Sequence, residues 1–420
     1  MNRKLAPISH LPEHFDSGLP LIAEPYMDIN SKDEIFKLDI IVPSKGYGLY
    51  TNKFTALYAS SLLFSGTARK TSEQIAEEID VNGTYIFKNC DYYNFGLTIY
   101  GQRDKFPAIL ERIRSYIEEC IFPETELDIF KSRKLSELEI NLQKTSFRAG
   151  RAINSMVLGD AHPYSQRSDR ELIESVNSQD LSKYRDELLS EVILIYTGNN
   201  SSEIKGICEA FGFKTMEKLP ETIVDAKTDS SSISEDFIHI ESSTQNSIRM
   251  GKIIPGRRHE DHFKIALFNL IYGGYFGSRL MKNIREDKGL TYGIHSSVTG
   301  FRDYSYFRIN SDCNSELSDL VLEETLKELK TLQTELVAED ELETARNYYT
   351  GALLRNFDGP FNLSDRLKSS LELGTYQPGT YYAESFSKIQ NVSASDILEV
   401  ANNYFDIQTL KHCIAGKKGA

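Results

Sequence analysis

The sequence is written twice, and that one property restricts the chain to two like halves. From Ala56, "ALYASSLLFSGTARKTSEQIAEEIDVNGTYIF" reads as an apolar helix, a turn containing Gly66, an amphipathic helix, Gly83 as its stop, and a strand. From Phe263, "FKIALFNLIYGGYFGSRLMKNIREDKGLTYGI" repeats that order, with Gly273 in the place of Gly66 and Gly289 in the place of Gly83. "FPAILERIRSYIEECIFPETELDIFKSRKLSELEI" and "LVLEETLKELKTLQTELVAEDELETARNYYTGALL" each read as two helices joined by an acidic connection. Each half then closes with a capped helix and an apolar strand. Ser178 is the expected cap in "VNSQDLSKYRDELLSEVILIYTGN" and Ser393 in "VSASDILEVANNYFDIQTLKHCIAGK".

Strands, a helix, a hairpin, a long helix pair and a returning strand make an α+β fold. The expectation is two homologous domains from internal duplication, each a mostly antiparallel sheet with helices packed on one face. The polar, serine-rich stretch "KLPETIVDAKTDSSSISED" reads as the link between them. The domains are then expected at 1–219 and 236–420, with 220–235 as linker.

No run approaches the roughly 20 apolar residues that cross a bilayer, and the N-terminus lacks the apolar core of a secretory signal. Five scattered cysteines without a C-x-x-C pair suit reduced thiols in a cytoplasmic protein better than a disulfide framework. A net charge of −13 argues against nucleic acid as a partner, since that needs a basic footprint. No membrane partner is expected.

One stretch looks like a metal site. His10-Leu-Pro-Glu13-His14 fits H-x-x-E-H, a pattern that works when both histidines share one face of a helix with the glutamate beside them. Pro12 sits inside it, so a helix can begin there but not run through it, and His10 falls out of line with His14. The segment reads as a polar N-terminal stretch. "HEDH", His259 to His262, offers a second histidine pair and reads as a polar helix start.

"LLFSGTARKTSEQIAEEID", "HPYSQRS" and "SRLMKNIREDKGLTYGI", together with the two like halves, resemble the M16 (pitrilysin, insulinase-like) metallopeptidases of the two-domain bacterial type. The resemblance implies homologous units closing around a peptide, with H-x-x-E-H on the helix just before "LFxGT" and a further glutamate ligand downstream. Here that helix carries Leu57 and Ser61 in the histidine positions and Ser60 in the general-base position. Leucine and serine do not hold Zn²⁺, and Ser60 is no carboxylate base. Glu137 and Glu139 remain in the window of the downstream ligand and read as helix-surface charges. The chain is expected to carry no cofactor of its own, with zinc held by a homologous partner subunit with an intact H-x-x-E-H.

The family's other active-site element is implied at Arg285 and Tyr292 in "IREDKGLTY". A guanidinium and a phenol are suitable donors to the oxyanion that develops during peptide hydrolysis. Gly273 and Gly274 are the expected places for a peptide to approach the backbone. The resemblance thus implies a non-catalytic, zinc-less subunit of a heterodimeric peptidase acting on peptides, with a homodimer where the partner is absent. The alternative is an inactive scaffold or peptide-binding protein.

Overall fold

A computed structural model describes residues 26–30, 34–166, 169–188, 191–198, 234–355, 359–375 and 381–418. The His10–His14 segment lies outside them, as does the expected linker apart from residues 234 and 235. In the first half the order is β1 (Tyr26–Asn30), β2 (Ile35–Pro43), α1 (Lys53–Leu62), α2 (Ser72–Val81), β3 (Tyr85–Cys90) and β4 (Asn94–Gln102). It continues with α3 (Phe106–Glu118), α4 (Glu124–Leu142), α5 (Thr145–Leu158), α6 (Arg170–Ser175), α7 (Ser178–Asp186) and β5 (Ile193–Gly198). The second half runs β6 (Glu235–His239), β7 (Gln245–Pro255), α8 (His262–Asn269), β8 (Thr291–Gly300) and β9 (Tyr304–Asn314). After these come α9 (Ser318–Thr334), α10 (Glu339–Arg355), α11 (Pro360–Glu372), α12 (Tyr381–Asn391), α13 (Ala394–Tyr404) and β10 (Lys411–Gly416).

The two sheets have the same topology. Strands run β1-β5-β2-β4-β3 in one and β6-β10-β7-β9-β8 in the other. In each, only the first pair is parallel. The α+β class with mostly antiparallel sheets is therefore what forms. Local signals set the ends of these elements. Thr71 and Gln74 close a reciprocal capping box on α2. Gly83 and Gly289 take the positive φ (61° and 62°) that ends a helix and releases a strand. Ser393 caps α13 as expected, whereas α7 is capped one residue earlier, by the Asn177 side chain.

Two departures matter for function. In the second half the amphipathic segments are π-helical over Leu270–Gly274 and Met281–Asp287. Wider turns of this kind are concentrated at functional positions, and apolar spacing does not announce them. The second departure concerns what covers the sheets. β2 alternates, with Phe36, Leu38, Ile40 and Val42 facing the helices of its own half, yet its other face is buried too. That outer face is covered by α11, from the second half, and the outer face of β7 and β10 by α5, from the first.

The α11 contact is ionic. Lys37 and Asp39, both fully buried, pair at 3.1 Å. Asp39 accepts hydrogen bonds from Ser364 (2.8 Å) and Thr98 (2.5 Å) and lies 3.5 Å from Lys368. Lys37 also reaches Asp365 at 2.5 Å. The α5 contact is apolar, with Ile153, Val157 and Leu158 packed among Tyr92, Phe301 and Tyr306. At its end sits His162, whose Nδ1 accepts from the Tyr164 amide (3.1 Å), leaving Nε2–H to donate to the Tyr304 hydroxyl (2.6 Å). Burial pulls the His162 pKa down to about 4, so the ring stays neutral there.

Where α11 ends, Glu372 shares a hydrogen bond with Asp91. Burial, then repulsion from Asp91, pushes its pKa up to about 8, with Lys368 opposing and Asp39 adding to the shift. A carboxyl group whose folded pKa is raised favours folding least where the unfolded chain has already ionised. Stability should therefore fall as pH rises from about 4.5 to about 8. Glu372→Gln is expected to raise the urea midpoint at pH 8 and leave it unchanged at pH 4. An equal effect at both pH values would contradict this account.

Candidate functional site

Arg285 lies near the end of the second π-helical segment and Tyr292 is the second residue of β8, the edge strand of its sheet. The segment packs directly on β8. Pairing with β9 slips between Thr291 and Ile294, so a bulge falls at Tyr292. Thr291 anchors the bulge by donating to the Asp312 carbonyl at 2.6 Å, and Tyr292 projects outward, 85 % exposed.

Three polar side chains near Arg285, those of Arg279, Asn283 and Lys288, are tied down. Arg279 makes a bidentate pair with Glu341 (2.9 and 2.8 Å). Asn283 donates to Glu324 (3.1 Å) and Glu328 (2.8 Å), and Lys288 pairs with Glu324. Arg285 has no hydrogen bond or ion pair among the described residues. Its guanidinium carbon sits 4.9 Å from the centre of the Phe276 ring, which is itself 63 % exposed. The Tyr292 hydroxyl is equally without a partner among the described residues. Two donors at one sheet edge are thus left with their hydrogen-bonding capacity unspent. Phe276 was not legible beforehand, because nothing in the spacing links it to Arg285.

The two glycines behave differently. Gly273 is buried, and a Cβ there would stand 2.6 Å from Ser296 Oγ and 2.8 Å from Leu280 Cδ1. Its glycine is required by packing, and a buried backbone offers a peptide no surface. This corrects the expectation for Gly273. Gly274 is exposed, with Asn269 as its near neighbour.

The position that would hold a metal lies in the first half, on α1. Leu57 packs against the core, Ser60 is buried, and the exposed Ser61 spends its hydroxyl on the Leu57 carbonyl at 2.8 Å. Of the two glutamates, Glu137 lines one cavity of about 290 Å³ with Leu57 and Ser61, while Glu139 turns away to Arg170 (2.9 Å). Glu137 is paired with Lys134 (2.7 Å) and lies 3.8 Å from Arg133, which hold its carboxyl below the usual range. One carboxylate, a leucine and a serine are not a zinc donor set. In the second half, Asp261 of "HEDH" is taken up by Lys264 (3.0 Å) and Tyr404 (2.6 Å), and burial drives the His262 pKa down to about 4. Among the described residues Cys90, Cys120, Cys313 and Cys413 are free thiols, and burial pushes Cys90 and Cys413 up to about 12.

The family profile described as the peptidase M16 inactive domain matches residues 175–349. An uncharacterized zinc protease, YmxG of Bacillus subtilis, is 22 % identical over 333 residues, 76 % of this chain and 78 % of that protein. Among solved structures, a peptidase M16 inactive domain from Pseudomonas fluorescens superposes with a TM-score of 0.83 at 20 % identity, covering 94 % of this chain and 96 % of that one. The periplasmic protease PqqL from Escherichia coli gives 0.74 at 12 % identity, covering 92 % of this chain and 43 % of that one.

Proposed function

We propose that this chain, which belongs to the peptidase M16 family as a non-catalytic member, is the zinc-less subunit of a two-subunit peptidase. In this reading it presents Arg285 and Tyr292 to a peptide held at the metal centre of a homologous partner with an intact H-x-x-E-H. The observation that carries the reading is the unspent donor capacity of Arg285 and Tyr292 where a helical segment meets an edge strand, in a chain that carries Leu57, Ser60 and Ser61 at the histidine and general-base positions.

Hydrolysis of an amide builds negative charge on the carbonyl oxygen. A guanidinium fork and a phenolic O–H, held in place before reaction, stabilise that charge without reorganising. Phe276 lies against the Arg285 guanidinium and restricts its orientation, and the Thr291-anchored bulge does the same for Tyr292. A cytoplasmic location belongs to the same proposal; no helix among the described residues is long and apolar enough to cross a membrane.

The test is reconstitution with a homologous subunit carrying H-x-x-E-H. Arg285→Ala in the complex is expected to lower kcat by roughly 10²–10³ with little change in KM. Undiminished turnover would remove the reading, and failure of every such pairing to hydrolyse peptides would favour the scaffold or peptide-binding alternative.

A further inference from the structure

The cavity that takes the place of a metal site in the first half is not featureless. Phe54, Leu57, Tyr58, Phe130, Phe147 and Ile173 make most of its wall. Its polar groups come chiefly from α4, where Lys134, Glu137 and Asn141 fall at i, i+3 and i+7 and so share one face. A second, larger cleft of about 630 Å³ adjoins it, sharing Ser61, Phe130 and Lys134, and follows the edge strand β3 past Tyr85, Ile86 and Lys88. The two meet at the Phe130 ring, against which Arg133 and Lys134 both rest, 4.9 and 5.5 Å from its centre.

Charge at this junction is unbalanced. Arg133 and Lys134 share a single carboxylate, Glu137. The Lys88 ammonium donates to carbonyl oxygens, those of Ser61 (2.7 Å) and Leu63 (2.8 Å), and to no carboxylate among the described residues. The acids lining the larger cleft are Asp80 and Glu126. Glu126 stands eight residues before Lys134, about 12 Å back along the helix. Ser65, lining the same cleft, has a buried hydroxyl with no partner.

We infer that the paired cavities bind the carboxyl end of a peptide whose last residue is apolar. The last side chain enters the Leu57 cavity, the free carboxylate lies between Arg133 and Lys134 above Phe130, and the preceding residues lie in the larger cleft beside β3. An apolar pocket with a few convergent polar groups is the usual form of a ligand site. Two cations serving one carboxylate leave room for another, and arginine takes a carboxylate in a two-point contact. The backbone of an interior stretch of peptide brings no such charge. The site depends neither on Arg285 and Tyr292 nor on a partner subunit.

The experiment uses the full chain alone, titrated calorimetrically with acetyl-Ala-Ala-Leu as the free acid and as the amide. The acid should bind at least about ten-fold more tightly, the usual weight of one charge-assisted contact. Lys134→Met, on a position 35 % exposed, should bring the two ligands within about three-fold of each other. Leu57→Trp, which fills the cavity, should abolish binding at an unchanged Tm. Equal affinity for acid and amide, no saturable binding of either by about 5 mM, or wild-type binding by a well-folded Leu57→Trp would each overturn the inference. None of these results bears on whether Arg285→Ala lowers turnover in a reconstituted complex.

Discussion

The double substitution Leu57→His with Ser61→His is expected to make the chain a stoichiometric zinc binder. Residues four apart on α1 lie one above the other on the same face, 5–6 Å apart at Cβ in a typical helix. Glu137 already lines the cavity into which both positions look. Two imidazoles and a carboxylate are a sufficient protein ligand set for Zn²⁺ with an open fourth position. The ion pairs of Glu137 with Lys134 and Arg133 must yield, and with side chains 35 % and 62 % exposed both cations can be taken up by water. Metal analysis after dialysis should give about one zinc per double-substituted chain and background for the unaltered one. Adding Glu137→Gln should return the double variant to background. If Glu137→Gln leaves the zinc in place, the third ligand has been misassigned.

Asp39→Ala is expected to destabilise the protein by up to about 3–5 kcal/mol, because it removes the one fully buried carboxylate beside Lys37 and leaves only the 60 % exposed Asp365 to neutralise it. The loss should be visible as a large fall in the urea midpoint with little change in slope. Replacing Lys37 and Asp39 together by apolar residues of similar volume should cost much less, since removing a buried pair is far milder than orphaning one member. Were the single and double variants equally unstable, the ionic contact would not be what seats α11 on the first sheet.

Much of this architecture was legible because it is local. The stops at Gly83 and Gly289 and the cap at Ser393 are set by residues next to one another in the chain. The helix exchange was not legible. The spacing of apolar residues along α5 or α11 says which face is buried, but not which sheet it is buried against. Lys37 and Asp39 carried a hint, as two charges on the central strand of a sheet, but their partners lie more than 300 residues away. At the candidate site, Arg285 and Tyr292 could be named from a resemblance, and Leu57, Ser60 and Ser61 from the chemistry they lack. What sequence withheld was the state of the neighbours: that Arg279 and Lys288 are neutralised while Arg285 is not, and that Gly273 is closed in by Ser296.

The reciprocal covering of the sheets has a consequence for anyone who would dissect the molecule. A fragment ending in the serine-rich connection would keep Lys37 and Asp39 but forfeit the helix that shields them, while its own α5 would lose the face of β7 and β10 against which it is buried. Neither piece is expected to be a native protein in isolation. Mixed together, the two should rescue one another, so that complementation between separately produced fragments becomes a direct readout of how tightly the chain is laced.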